Sequence, residues 1–282
     1  MFIIPILLLT LTSTFLLTCT RSGVGHSKNI KPTVSKTSLD SVDHVRIYVL
    51  VDNYPGEKCK TAWGIGMLVV TSDIKILFDA GPSPETLKYN AEVLDVNVSD
   101  LDFIVISHEH GDHVRGLEYI ARVCKKATVY VPEGMSGGVK SWIKSLGFNL
   151  VEVKNTMVIA KGIAIVGQLY GPPYEQALAI NVRDRGLILL VGCSHPGVEN
   201  IAYKAYEDLK VEPYMVIGGF HMGYCSRYEA RETIRDLVDL GAKRIAPIHC
   251  SGSTIRSVLE EEYPEYYLKA HVCSIIDITS DC

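Results

Sequence analysis

Phe103-Ile104-Val105-Ile106-Ser107-His108-Glu109-His110-Gly111-Asp112-His113 runs from four apolar residues into three histidines and two carboxylates packed within six positions. The apolar run reads as a buried strand, and the polar cluster begins where it ends. Imidazole and carboxylate groups at this density are costly to bury without partners. A shared cation suits them all, because nitrogen and oxygen donors together fit zinc, iron or manganese. His108 and His110 alternate as strand residues do, so both side chains aim at one ion. Gly111 permits a turn that brings Asp112 and His113 round to a second ion.

Outward from this stretch, strands are expected at Val45–Val51, Met67–Val70, Ile74–Asp79, Phe103–Ser107, Thr128–Val131, Ile163–Gln168, Leu178–Val182, Leu187–Gly192, Tyr214–Gly219 and Arg244–Ile248. Ser83-Pro84 opens a helix over Glu85–Leu94. Leu117, Ile120, Ala121 and Cys124 share a helical face. So do Ile234, Leu237 and Val238, in a helix that stops at Gly241. The early strands follow one another directly, whereas the later ones alternate with helices. That mixture predicts an α/β fold of two sheets packed face to face with helices outside, a four-layer α/β/β/α sandwich over residues 44–282.

The histidine cluster resembles the HxHxDH hallmark of the metallo-β-lactamase superfamily, and the resemblance runs over roughly residues 45–280. Ile76-Leu77-Phe78-Asp79-Ala80-Gly81 is similar to the strand whose aspartate, here Asp79, supports the metal loop in that family. Four further stretches resemble the branch of dihydropterin-6-yl-methyl-(ribofuranosyl)aminobenzene phosphate synthases. They are Val49-Leu50-Val51-Asp52-Asn53-Tyr54, Val191-Gly192-Cys193-Ser194-His195-Pro196-Gly197, Ile217-Gly218-Gly219-Phe220-His221 and Ile248-His249-Cys250-Ser251-Gly252. The resemblance implies the four-layer sandwich, one or two divalent ions, and a transferase acting on a pterin.

It also implies a further histidine, a bridging aspartate at a strand end and a last histidine. No histidine occurs between His113 and His195, and the strand ending at Val191 leads into Gly192-Cys193 where many relatives have Gly-Asp. Two assignments follow. Either His195 is the third ligand beside His108 and His110 with no carboxylate bridge, or Cys193 takes the bridging position and His195 is an additional ligand or substrate contact. The first is preferred. Cys193 itself is either a thiolate ligand or a small residue packing behind the site. His249 follows the strand at Arg244–Ile248 and joins Asp112 and His113 at the second ion. His221, after two glycines, either completes the metal set or, in the preferred reading, contacts substrate, where it would protonate or stabilise the departing group. Asp112 would orient a water molecule whose pKa a divalent ion lowers to about 7.

The whole chain has 282 residues, a formal charge of −4 and 47% hydrophobic residues. That composition supports a sizeable core, and its balance of charge gives no general attraction to nucleic acid. Eight cysteines without a CxxC pair describe neither a disulfide scaffold nor a zinc ribbon. Phe2–Cys19 is uncharged and apolar, about 27 Å long as a helix, and Leu16-Leu17-Thr18-Cys19 resembles a lipoprotein box. Residues 1–20 are therefore expected to be a signal or membrane anchor with Cys19 a lipidation candidate, and residues 21–43 a flexible linker. The protein is expected to be membrane-associated or exported. Its expected function is a metal-dependent hydrolase or transferase of a small molecule, using zinc, with manganese or iron as substitutes. The alternative is a membrane-tethered binding protein that holds a small anion or pterin without turnover.

Overall fold

In a computed structural model of the chain, residues 39–124 and 126–281 are described. Six strands build most of a first sheet: β1 (His44–Val51), β2 (Gly66–Val70), β3 (Lys75–Phe78), β4 (Phe103–Val105), β5 (Thr128–Pro132) and β6 (Asn149–Val153). A second sheet takes the next six: β7 (Met157–Ala160), β8 (Ile163–Tyr170), β9 (Tyr174–Val182), β10 (Gly186–Val191), β11 (Pro213–Gly219) and β12 (Arg244–Ile248). The last strand, β13 (Ile275–Thr279), returns to pair antiparallel with β1, His44 facing Thr279. The orders are β13-β1-β2-β3-β4-β5-β6 and β12-β11-β10-β9-β8-β7.

Alternation along the strands explains the layers. Ile47, Met67, Ile76 and Val105 of the first sheet meet Ile165, Leu178, Ile188 and Ile217 of the second in one core. On the other side of the first sheet, Leu77, Ile104 and Val129 pack under α1 (Pro84–Val93), α3 (Leu117–Val123) and α4 (Gly137–Ser145), with α2 (Gly111–Val114) a single turn before α3. Leu187, Leu189 and Val216 of the second sheet pack under α5 (Val198–Leu209), α6 (Arg227–Asp239) and α7 (Ser253–Glu262). This is the four-layer sandwich expected from the sequence. Ser83 caps α1 by accepting from the Thr86 N–H at 3.1 Å, with Pro84 in the first turn, as the Ser-Pro pair predicts.

Three strands and three helices escape the sequence reading: β6, β7, β13, α2, α4 and α7. Residues 39–43, expected to close the linker, pack onto the body instead. Leu39 is buried, and the Val42 N–H donates to the Asn181 carbonyl at 2.9 Å. A disulfide joins Cys59 to Cys273 across 214 residues, tying the loop after β1 to the approach to β13.

The expected placement at a membrane is corrected. Residues 1–20, with Cys19, lie outside the described residues. Among the described residues no helix is long and apolar enough to cross a membrane. The longest, α6, has 13 residues, about 20 Å against a hydrocarbon core of about 30 Å.

In both sheets, parallel strands deliver their carboxyl ends to one edge. β3 leads to Asp79, β4 to His108, β10 to Cys193 and His195, β11 to His221 and β12 to His249. Such an edge is where ligands bind in sheets of this kind.

Candidate metal centre

Four residues at these strand ends hold a left-handed backbone: Asp79 (φ 54°), Ser194 (φ 60°), His221 (φ 52°) and His249 (φ 50°). Each such turn costs about 1–2 kcal/mol for a residue with a Cβ, so the hydrogen bonds made there must offset it. Clustering of this kind is common at functional sites.

Two sets of donors converge. Donor atoms of His108, His110 and His195 lie within 4.8 Å of one another, and so do those of Asp112, His113 and His249. His108 Nε2 and His110 Nδ1 are 3.1 Å apart, close to the roughly 3.3 Å that separates two nitrogens on one tetrahedral zinc. In the second set Asp112 Oδ2 lies 3.4 Å from His249 Nε2 and 3.8 Å from His113 Nε2. His249 Nε2 is buried and has no hydrogen-bond partner. An orphaned acceptor nitrogen at that depth is a liability unless something positive meets it. The residues present therefore fit divalent ions.

The remaining ring nitrogens are fixed by a polar scaffold. Asp79 Oδ2 accepts from His113 Nδ1 at 2.7 Å and from the Ser107 hydroxyl at 2.6 Å, while its Oδ1 accepts from the Ser107 N–H at 2.7 Å. Ser107 Oγ in turn meets His108 Nδ1 at 2.9 Å. Glu175, buried on β9, accepts from the N–H groups of Ser194 and His195 and meets His195 Nδ1 at 2.9 Å. Asn53 Oδ1 meets His249 Nδ1 at 3.1 Å, and Asp52 accepts from the His249 N–H at 2.8 Å. Four imidazoles thus have Nδ1 occupied and Nε2 turned inward, the arrangement by which partners of a ligand set its tautomer. Gly192 makes room for this. A Cβ there would collide with Ser107 Oγ and lie 2.8 Å from Glu175 Oε1.

The electrostatics differ between the two triads. Burial, together with the neighbouring imidazoles, holds His108 and His110 below the usual histidine range, so both are neutral and able to coordinate. Burial opposes charge on Asp112, but the nearby His249 and His113 rings hold its carboxyl at about 2. Burial likewise works against protonated His113, and the Asp79 carboxylate more than offsets it.

Every residue expected at the metals is brought to this edge. His221 stands on the rim, its ring centroid 4.6 Å from that of His195, and the Cys250 thiol raises its pKa. Glu109, in the middle of the motif, turns away to accept from the Ser136 N–H. Three supports were not anticipated. They are Glu175, Asp52 and Asn53, to none of which the sequence alone gives a role. A carboxylate ahead of the apolar run Ala177–Ile180 was the available signal, since a buried acid needs donors. Glu175→Gln preserves shape but weakens the acceptor for three N–H groups. Competition with a chelator should show metal affinity reduced by about 10–100-fold, with the far-ultraviolet circular dichroism unchanged. Unaltered affinity would separate Glu175 from the metal.

Beside the donors lies a cavity of about 580 Å³ lined by Trp63, His221, Met222, Tyr224, Cys225 and Cys250, among others. Trp63 is 61% exposed and its ring sits 5.0 Å from that of His249, while Tyr224 is fully exposed.

The family model of the metallo-beta-lactamase superfamily matches residues 66–249. The chain is 28% identical to 7,8-dihydropterin-6-methyl-4-(beta-D-ribofuranosyl)-aminobenzene-5'-phosphate synthase of Methanocaldococcus jannaschii, over 85% of this chain and 98% of that protein. Among solved structures, Tm1679, a metal-dependent hydrolase of the beta-lactamase superfamily, superposes with a TM-score of 0.71 at 23% identity, covering 84% of this chain and 100% of the other. The short form of human tRNase Z gives 0.58 at 15% identity, covering 82% and 98%.

Proposed function

The chain belongs to the metallo-beta-lactamase superfamily, and from that premise we propose that it is a metal-dependent hydrolase or transferase of a small phosphorylated molecule of the pterin type. One observation carries the reading. Two triads of donors, one with an orphaned buried nitrogen, converge beside a cavity of about 580 Å³, a size that suits a small-molecule substrate. In this reading His108, His110 and His195 hold one divalent ion, and Asp112, His113 and His249 hold the other. Bound there, such ions supply Lewis acidity and make water ionisable near neutral pH. Zinc fits the nitrogen-rich sets best, with iron or manganese as substitutes.

Asp112 is the one charged donor in its triad, and its carboxylate orients the attacking water and takes up its proton. His221, on the rim, gives a proton to the departing oxygen or pairs with the anion it leaves. Trp63 and Tyr224 offer exposed faces on which a planar ring can stack. The pterin of the 28%-identical synthase is such a ring.

Trp63→Ala is expected to raise KM about tenfold while kcat changes little, because stacking holds substrate and transition state alike. Steady-state kinetics on a pterin conjugate check this. The reading as a whole is tested by incubating the metal-loaded full chain with phosphoesters, lactones and pterin conjugates. Release of product that stops on chelation is the expected result. Every ligand recovered unchanged, from protein that binds it, would instead favour a binding role without turnover.

A further inference from the structure

Cys193 sits at the end of β10, 4% exposed, and its sulfur has a specific neighbour. Sγ lies 3.2 Å from His113 Nε2. His113 Nδ1 is committed to Asp79, so Nε2 is the ring nitrogen left to face the sulfur. A nitrogen and a sulfur on one zinc, at bond lengths of about 2.1 and 2.3 Å, stand roughly 3.1–3.6 Å apart for angles between a right angle and the tetrahedral one. The observed separation falls in that range. The same Sγ lies within 4.8 Å of donor nitrogens of both His108 and His113. His108 belongs to the first triad and His113 to the second, so the sulfur faces both.

We propose that the Cys193 thiolate is a shared ligand between the two ion sites, its proton passing to solvent when metal binds. The inference rests on the reading that the two triads hold ions. A cysteine that merely filled space would have no need of an imidazole nitrogen from each triad at its sulfur. Cys250 is the competing thiol. Its Sγ lies 3.6 Å from the Cys193 carbonyl oxygen and within 4.8 Å of donors of Cys193 and His221, towards the rim. A sulfur between the ions makes the centre softer, favouring zinc, cobalt or iron over magnesium or manganese.

Cobalt(II) reports this directly, because a thiolate on cobalt gives a sulfur-to-metal charge-transfer absorption that imidazole and carboxylate do not. The full chain loaded with cobalt is expected to show that absorption, and Cys250→Ser to keep it. Cys193→Ser should lose it, and Cys193→Asp should lose it while still binding cobalt through the substituted carboxylate. Cobalt bound at both sites of the unsubstituted chain without the absorption would overturn the thiolate and leave the metal centre standing. Loss of the absorption in Cys250→Ser, or its survival in Cys193→Ser, would move the sulfur ligand elsewhere and equally overturn it. A chain that took up no cobalt would overturn both this inference and the reading beneath it.

Discussion

Asp112→Asn should lower turnover by about 10²–10⁴-fold, the range for loss of a positioned acid–base group, while the protein stays folded. Asp112 lies in α2, the single turn that follows the motif's strand, and its side chain is 22% exposed. Asparagine matches it in shape and leaves the backbone bond from the Ile65 N–H intact. What the substitution removes is charge. His113 and His249 hold this carboxylate ionised, with a pKa of about 2, so it is present as an anion throughout the physiological range. Without it the second triad has no negative donor and the water has no proton acceptor. Steady-state kinetics beside thermal unfolding check both halves. Activity within about threefold of the parent would remove Asp112 from the chemistry, since the smallest loss expected of an acid–base group is far larger.

Asp79→Ala should cost about 3–5 kcal/mol of stability, as expected when one partner of a buried charged pair is removed, and should strip metal from both triads. Asp79 is fully buried and takes three hydrogen bonds, from the Ser107 N–H, the Ser107 hydroxyl and His113 Nδ1. Alanine strands all three donors and occupies a left-handed position (φ 54°) that it tolerates poorly. Asp79→Asn separates the two consequences. Asparagine accepts that backbone and fills the same volume, but its NH₂ faces groups that are themselves donors. A smaller loss of stability is expected, with metal affinity still down by about 10–100-fold. Urea denaturation of the metal-free protein and chelator competition measure the two effects independently. Parent-like stability and affinity in Asp79→Ala would mean that the carboxylate does not organise the site.

The part of the fold that surrounds the site was legible because its signals are local. The apolar strand before His108, the Asp79 turn, and the strands ending near His195, His221 and His249 each announce themselves within a few residues. What escaped depends on distant partners. β13 is a strand because β1, more than 200 residues earlier, offers its edge. Its sequence Ile275-Ile276-Asp277-Ile278-Thr279 is short and carries an acid that makes sense only beside His44 and Arg46. Glu175 escaped for a similar reason. The sequence shows a carboxylate next to turn-forming residues, and only the fold reveals that β9 runs under the Ser194 and His195 amides. Cys193 stays ambiguous in the sequence because ligand and core cysteines look alike until a neighbouring imidazole is seen.

The apolar N-terminal run and its lipoprotein-like box lie outside the described residues and say nothing of how the body is built. The body offers no helix able to span a bilayer among its described residues.

Elemental analysis of the full chain after exhaustive dialysis, with circular dichroism on the same samples, probes the metal centre most directly. About two divalent ions per chain are expected, as in two-metal hydrolases. His108→Ala should lose the ion of the first triad and His249→Ala that of the second, each with the fold intact. A folded parent chain that retains no divalent ion, and binds none when zinc, iron or manganese is supplied, would contradict it.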